Sequence, residues 1–411
     1  MTGHIIVVGL GFGDEGKGAV VDALCHDRPV TSVVRFNGGA QAAHNVVTGD
    51  HHHTFSQFGS GTLTGVPTHL SRHVLVEPIA LARESRDLAR LGITDPLRLL
   101  SIDADALLTT PIHVAANRAR EDARGAGRHG SCGRGIGETA WYGLLTDRHA
   151  APGDVVEDQH VLGTPGPPPT VGDCADPTTL RAKLDTLARF YEPLIGDGTS
   201  VHDLVSLYRD FADAVRITTG DEVGRLADRG RLVFEGAQGV LLDQRHGFHP
   251  HTTWSTVTPD NARDLLGHRH ATVIGVTRTY HTRHGAGPFP TEDPRVLARF
   301  PERHNGTGHY QGAWRAGHLD AVLLRHAITA CGGVDALAVT HLDAPDLQVA
   351  TTYDAPLPTT DLTDFLTHRT PTLTAMPDPV AWLEEHLGVP VLVTGAGPDR
   401  ADYALRTPAL R

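Results

Sequence analysis

His4-Ile5-Ile6-Val7-Val8-Gly9-Leu10-Gly11-Phe12-Gly13-Asp14-Glu15-Gly16-Lys17-Gly18 is the stretch that decides the fold of this chain. Its first seven residues read as a buried strand around the apolar run Ile5–Leu10, a glycine-rich loop follows, and Ala19–Cys25 reads as a helix start. Strand, loop and helix in that order open an α/β fold. The glycines let backbone N–H groups turn toward an anion, and Lys17 adds a point charge suited to phosphate. Lys17 and Lys183 are the only lysines among 36 Lys and Arg residues, so a chain that writes nearly every basic position as Arg keeps Lys here. Gly11-x-x-x-x-Gly16-Lys17 has the P-loop spacing, but Gly18 stands where Ser or Thr normally ligates Mg²⁺. Asp14 can supply the missing hard oxygen, and an ordinary switch GTPase or ATPase fits poorly.

Working outward, Ser32–Phe36, Leu232–Phe234, Ala271–Val276, Ala336–Val339 and Val389–Val393 read as further strands. Pro78–Leu91, Ala115–Arg124, Leu180–Ile195 and Val201–Ala214 read as helices, and the Gly- and Pro-rich stretch Gly163–Asp173 as a loop. Strands spread from end to end favour a single large α/β domain over residues 1–411. A central, mostly parallel sheet is expected, with a P-loop-like nucleotide site and a helical insertion over roughly 80–220. The net charge of −12 disfavours nucleic acid and acidic membranes as partners. Four scattered cysteines without a CxxC pair suit a reducing cytoplasm. No apolar run reaches the roughly 18 residues of a membrane span. The N-terminal apolar run is too short for a signal peptide and has no charged leader. A cytoplasmic protein is expected.

The chain resembles the adenylosuccinate synthetase family. The resemblance is carried by Gly13–Gly18; by Arg35-Phe36-Asn37-Gly38-Gly39 with His44; by Gly133–Gly137; by Phe234-Glu235-Gly236-Ala237-Gln238-Gly239; by Thr282–Glu292; and by Gly397-Pro398-Asp399-Arg400. It implies a ligase that joins L-aspartate to C6 of inosine monophosphate (IMP), with GTP as co-substrate and Mg²⁺ as cofactor. The oxygen at C6 is a poor leaving group, and phosphorylation makes it a good one. By resemblance Asp14 removes the N1 proton, His44 is the general acid at the oxygen, and Lys17 holds the transferring phosphoryl group. Asp14 and Ala43 match the Mg²⁺ positions. Gly13, Glu15, Gly16, Lys17, Gly18, His341, Asp343, Gly395 and Gly397 match the triphosphate site. Gln41, Ser131, Cys132, Gln238 and Thr253 match the site of the purine monophosphate. Arg148 is the candidate for an arginine that the family takes from a partner subunit, and a homodimer is implied.

Departures from the family pattern bear on the substrates. Cys132 replaces a phosphate-binding Thr, a weaker donor that Ser131 can compensate. The amine-binding segment keeps only Arg315 as a fixed cation and Thr307 as a hydroxyl, where the family has several arginines. Trp314 and Tyr310 stand there to stack on a base or simply to pack. His341 replaces a Lys that covers the guanine, while Asp343 can still accept from guanine N1–H and the 2-amino group. Alternatives therefore stay open: GMP, dGMP or a specialised purine-like nucleotide, another amine donor, and ATP instead of GTP. Asp50-His51-His52-His53 reads as a solvated turn. Neither that cluster nor His246–His251 has a clean tetrahedral zinc set.

Overall fold

The computed structural model describes residues 3–147, 162–302, 306–358 and 360–406. Ten strands form the central sheet: β1 (His4–Gly9), β2 (Ser32–Arg35), β3 (Thr68–Leu70), β4 (Leu100–Asp103), β5 (Arg216–Thr218), β6 (Leu232–Glu235), β7 (Ala271–Arg278), β8 (Ala336–Thr340), β9 (Val391–Gly395) and β10 (Tyr403–Leu405). Their order is β10-β9-β8-β7-β1-β6-β2-β3-β4-β5. Every neighbouring pair is parallel except β9 and β10. The chain is thus one mixed α/β domain, as the opening stretch implied.

β1 lies at the centre because both its faces are apolar. Ile6 and Val8 pack into one hydrophobic cluster, while Ile5 and Val7 pack into another on the opposite face. Such a two-sided strand is what a parallel sheet covered on both faces requires. The expected strands and helices are all present, with ends shifted by a few residues, and Val201–Ala214 matches at both ends. Proline-led starts with a side-chain cap recur. Glu77 caps the helix Pro78–Arg90 by accepting from Ile79 and Ala80, and Thr110 caps the helix Pro111–Arg124.

Two expectations need correction. The segment expected as a helical insertion also carries β4, and β5 adds onto its edge, so the region extends the central sheet rather than standing outside it. Its helices pack around Trp141, Tyr142, Phe190 and Tyr191 in one aromatic cluster. His51–His53 belong to a strand, not to a turn: His51–Phe55 pairs with His44–Thr48, and Gly49-Asp50 makes the turn. Alternation along that strand leaves His52 and Thr54 exposed and buries His53 against Phe55, while His51 is exposed beside the turn.

Candidate active site

At the C-terminal edge of the sheet, where strand order turns about β1, lies a cavity of about 480 Å³. This is where open α/β sheets hold ligands. Of the residues expected for the triphosphate, Gly13, Gly16, Lys17, Gly18, His341, Asp343 and Gly397 line it. So do Asp14, Ala43 and His44, and Gln41, Ser131, Cys132, Gln238 and Thr253 of the expected purine site. Glu15 and Gly395 are close by in sequence but are not on the wall, and Arg148 lies outside the described residues.

The loop after β1 is unusual in its backbone. Asp14 has φ 60°, between Gly13 at 96° and Gly16 at 92°. Gln238 and His341, with φ 59° and 58°, share this left-handed conformation on the same cavity wall. Strain of this kind in non-glycine residues gathers at functional sites. Burial pushes the Asp14 carboxyl above its ordinary value, while His284, Arg278 and Lys17 pull it back.

Glu15 turns inward instead of toward the cavity. One of its oxygens accepts from the N–H groups of Gly11 (3.0 Å) and Gly13 (2.8 Å). The other takes the Lys17 ammonium at 2.6 Å. The absent hydroxyl at Gly18 has a packing cause. A Cβ there would sit 2.6 Å from the His44 Cβ and 3.0 Å from Ser60 Oγ, so the space that a P-loop Ser or Thr would fill belongs to His44.

His44 is oriented by a residue that the sequence reading quoted without a role. Its Nδ1 lies 2.5 Å from Glu235 Oε1, at the end of β6. Glu235 also accepts from the Ser60 N–H at 2.9 Å and from its hydroxyl. Burial raises the Glu235 carboxyl, but His44, Arg35 and Ser60 outweigh it, and the group ends below its ordinary value. Burial lowers His44 despite the opposing pull of Glu235. An ionised Glu235 accepting the Nδ1–H leaves Nε2 as the working nitrogen of His44. A paired hydrogen bond between Asn37 and the backbone of Ala237 (2.8 and 3.2 Å) ties the loop before His44 to the one carrying Gln238.

Several polar atoms on this wall are buried without a partner: both amide atoms of Gln41, Gln238 Oε1, His251 Nδ1, His284 Nδ1 and Arg278 Nε. Unsatisfied groups cost about 1–3 kcal/mol each, so their convergence on one cavity marks a ligand site. Burial pushes the Cys132 thiol up, and Ser131 Oγ is engaged by Asn117 at 2.9 Å.

The residues expected for the amine do not come to the wall. Arg315 donates to the carbonyls of Gly285 (2.9 Å) and Gly287 (3.0 Å) and pairs with Glu292. It is spent on holding the Gly285–Gly287 turn. Trp314 is buried edge-on to His284 and Thr307 is exposed, whereas Gln311 of the same segment does line the cavity. Tyr310 packs with Arg128, 5.6 Å over its ring. Arg278 was missed because an isolated Arg in an Arg-rich chain carries no spacing signal, while His284 and His251 stood inside the stretches Thr282–Glu292 and His246–His251 without a role.

Residues 6–372 match the family model for adenylosuccinate synthetase. The chain is 31% identical to the adenylosuccinate synthetase of Marinomonas sp., with 97% of each chain covered. It is 35% identical to that of Thermobifida fusca over 82% of this chain and 77% of the relative. Its fold is similar to the fully ligated adenylosuccinate synthetase of Plasmodium falciparum, with a TM-score of 0.81 at 20% identity over 98% of this chain and 100% of that one. It is also similar to the succinoaminodeoxyadenylate synthetase of cyanophage S-2L bound to dGMP and dATP. There the TM-score is 0.62 at 17% identity, over 98% and 95% of the two chains. Sequence kinship along nearly the whole length, together with this fold and loop, places the chain in the adenylosuccinate synthetase family, a ligase that forms a carbon–nitrogen bond.

Proposed function

We propose that the protein joins the amino group of L-aspartate to C6 of IMP at the expense of GTP, giving adenylosuccinate, GDP and phosphate. The observation that carries this reading is that Asp14 and the Glu235-bound His44 share one cavity wall with the unpartnered amide of Gln41 and the unpartnered amide oxygen of Gln238. An acid–base pair beside unsatisfied amides suits a purine whose N1–H must be removed while its oxygen is phosphorylated.

In the first step Asp14 accepts the N1 proton, and the purine oxygen attacks the γ-phosphorus. The bond to the bridging oxygen breaks with its electron pair remaining on GDP. His44, protonated from solvent at Nε2 as anionic charge arrives, gives a hydrogen bond to the purine oxygen and keeps its proton in this step. In the second step the amine nitrogen attacks C6 and phosphate leaves. The amine's surplus proton and the proton held by Asp14 pass to phosphate and solvent, which restores the carboxylate. The Asp14 carboxylate and the Ala43 backbone carbonyl would offer hard oxygens of the kind Mg²⁺ takes beside phosphates, and both residues line the cavity. When bound there, Mg²⁺ neutralises phosphate charge. Asp343, His341 and Gly397 form the wall proposed for the guanine nucleotide. A homodimer, with Arg148 reaching a neighbouring site, completes the proposal.

A second reading is the same chemistry on GMP or dGMP, or on a specialised purine-like nucleotide, with ATP or another amine donor. It is favoured by the internal use of Arg315, which leaves the expected amine cation engaged. Phosphate release measured over IMP, GMP and dGMP, each with GTP or ATP and a panel of amines, separates the two. Turnover with IMP, GTP and aspartate supports the first reading, and its absence sinks it.

A further inference from the structure

We infer that Arg278 is a further catalytic cation, donating to the phosphoryl group as it passes from the triphosphate to the purine oxygen. This rests on the phosphorylate-then-displace reading above and deepens it. The glycine loop alone supplies less positive charge than its sequence suggests. Lys17 is 2.6 Å from Glu15, both side chains are only 3% exposed, and the pair is neutral as a unit. The N–H groups of Gly11 and Gly13 are also committed to Glu15. A neutral ion pair acts on a phosphate as a dipole, whose field falls off faster than that of a whole charge.

Arg278 ends β7, the neighbour of β1, two residues beyond Val276, the partner of Gly9. It therefore stands on the sheet edge from which the loop springs, and it lines the same cavity as Gly13 and Asp14. Its Nε is buried with no acceptor. Nη1 reaches Thr282 Oγ1 at 3.3 Å, and Nη2 forms an ion pair with Glu302 at 3.7 Å, looser than the 2.6 Å pair of Lys17 and beyond hydrogen-bond length. The guanidinium lies 5.2 Å from the Tyr280 ring and 5.9 Å from the Trp314 ring. These rings hold its plane in advance of the reaction, the condition under which a donor stabilises developing charge without reorganising. In the step it serves, the O–P bond forms with a purine oxygen lone pair and the bridging P–O bond breaks onto the diphosphate. Arg278 gives hydrogen bonds and no proton.

The test uses triphosphate labelled with ¹⁸O in the β–γ bridge, mixed with purine monophosphate and no amine. Movement of label from bridge to non-bridge positions reports the first step alone. Arg278→Gln should slow this exchange by roughly 10²–10³-fold, while calorimetric affinity for the triphosphate changes less than about 5-fold. Arg278→Lys should fall between that variant and the wild type, about 10-fold slow, because an ammonium cannot reproduce the planar donor. If the Gln protein does not fold, the Lys variant decides, and unchanged exchange in it overturns the assignment. Exchange within about 3-fold of wild type in the Gln variant also overturns it, as does intact exchange with only a raised KM for the amine. No exchange by the wild type with IMP, GMP or dGMP would sink the reading itself, and the role of Arg278 with it.

Discussion

Glu235 holds His44 by a 2.5 Å contact between Oε1 and Nδ1, on a glutamate that is fully buried and also anchored to Ser60. A buried carboxylate on one imidazole nitrogen fixes the tautomer and ring plane, so the other nitrogen presents one function. Glu235→Gln should lower kcat by roughly 10²–10⁴-fold with little change in nucleotide KM. Steady-state kinetics with ¹⁵N imidazole spectra check this, and an unshifted His44 signal with normal kcat would refute it.

Gly18 is kept small by His44. Gly18→Ser should not restore a P-loop hydroxyl but should displace the His44 backbone and ring, since its Cβ meets His44 at 2.6 Å. Overpacking of this kind costs about 1–3 kcal/mol. Chemical denaturation should show that loss together with a fall in kcat, and a variant as stable and active as wild type would contradict the packing argument.

The pair of half-buried Arg400 and buried Asp22 ties the Gly397-Pro398 wall to the helix Lys17–Asp27, with hydrogen bonds of 2.6 and 2.8 Å. Asp22 is 1% exposed. Arg400→Ala leaves its carboxylate buried and alone, at a cost of roughly 3–5 kcal/mol. Urea unfolding measures it, and KM for the triphosphate should rise because Gly397 and Pro398 line the part of the cavity proposed for it.

Acid should destabilise the protein through imidazoles kept neutral inside it. Burial lowers His69 to about 4, His113 to about 3 and His281 to about 4. Because these folded-state values lie below the unfolded one, the stability is fully present above about pH 6.5 and is lost as pH falls toward 3–4. Each group contributes up to about 1.4 kcal/mol per pH unit across that window. Tm should therefore fall progressively between pH 6.5 and 4, and a flat profile there would contradict the assignment.

Much of this was readable in the sequence, and the limits have physical causes. The run His4–Leu10 announced β1 because apolarity on both faces is a local property of the chain. The capped helices Pro78–Arg90 and Val201–Ala214 announced themselves through proline position and periodicity. The His51–His53 segment did not, since strand pairing across Gly49-Asp50 is a relation between two segments. Arg315 read as a cation for the amine because sequence reports a charge and not what neutralises it.

The sequence by itself determined that a glycine-rich loop follows a buried strand, that Gly18 lacks the hydroxyl of a P-loop while Asp14 stands four residues before it, and to which family the chain belongs. These follow from residue type and spacing along one segment. Only the tertiary structure decided that His44 fills the room above Gly18, that Glu235 aims it, and that Lys17 shares its charge with Glu15 while Arg278 keeps a donor unpaired. Those facts depend on which side chains the sheet brings within bonding distance across hundreds of residues, and no local pattern encodes them.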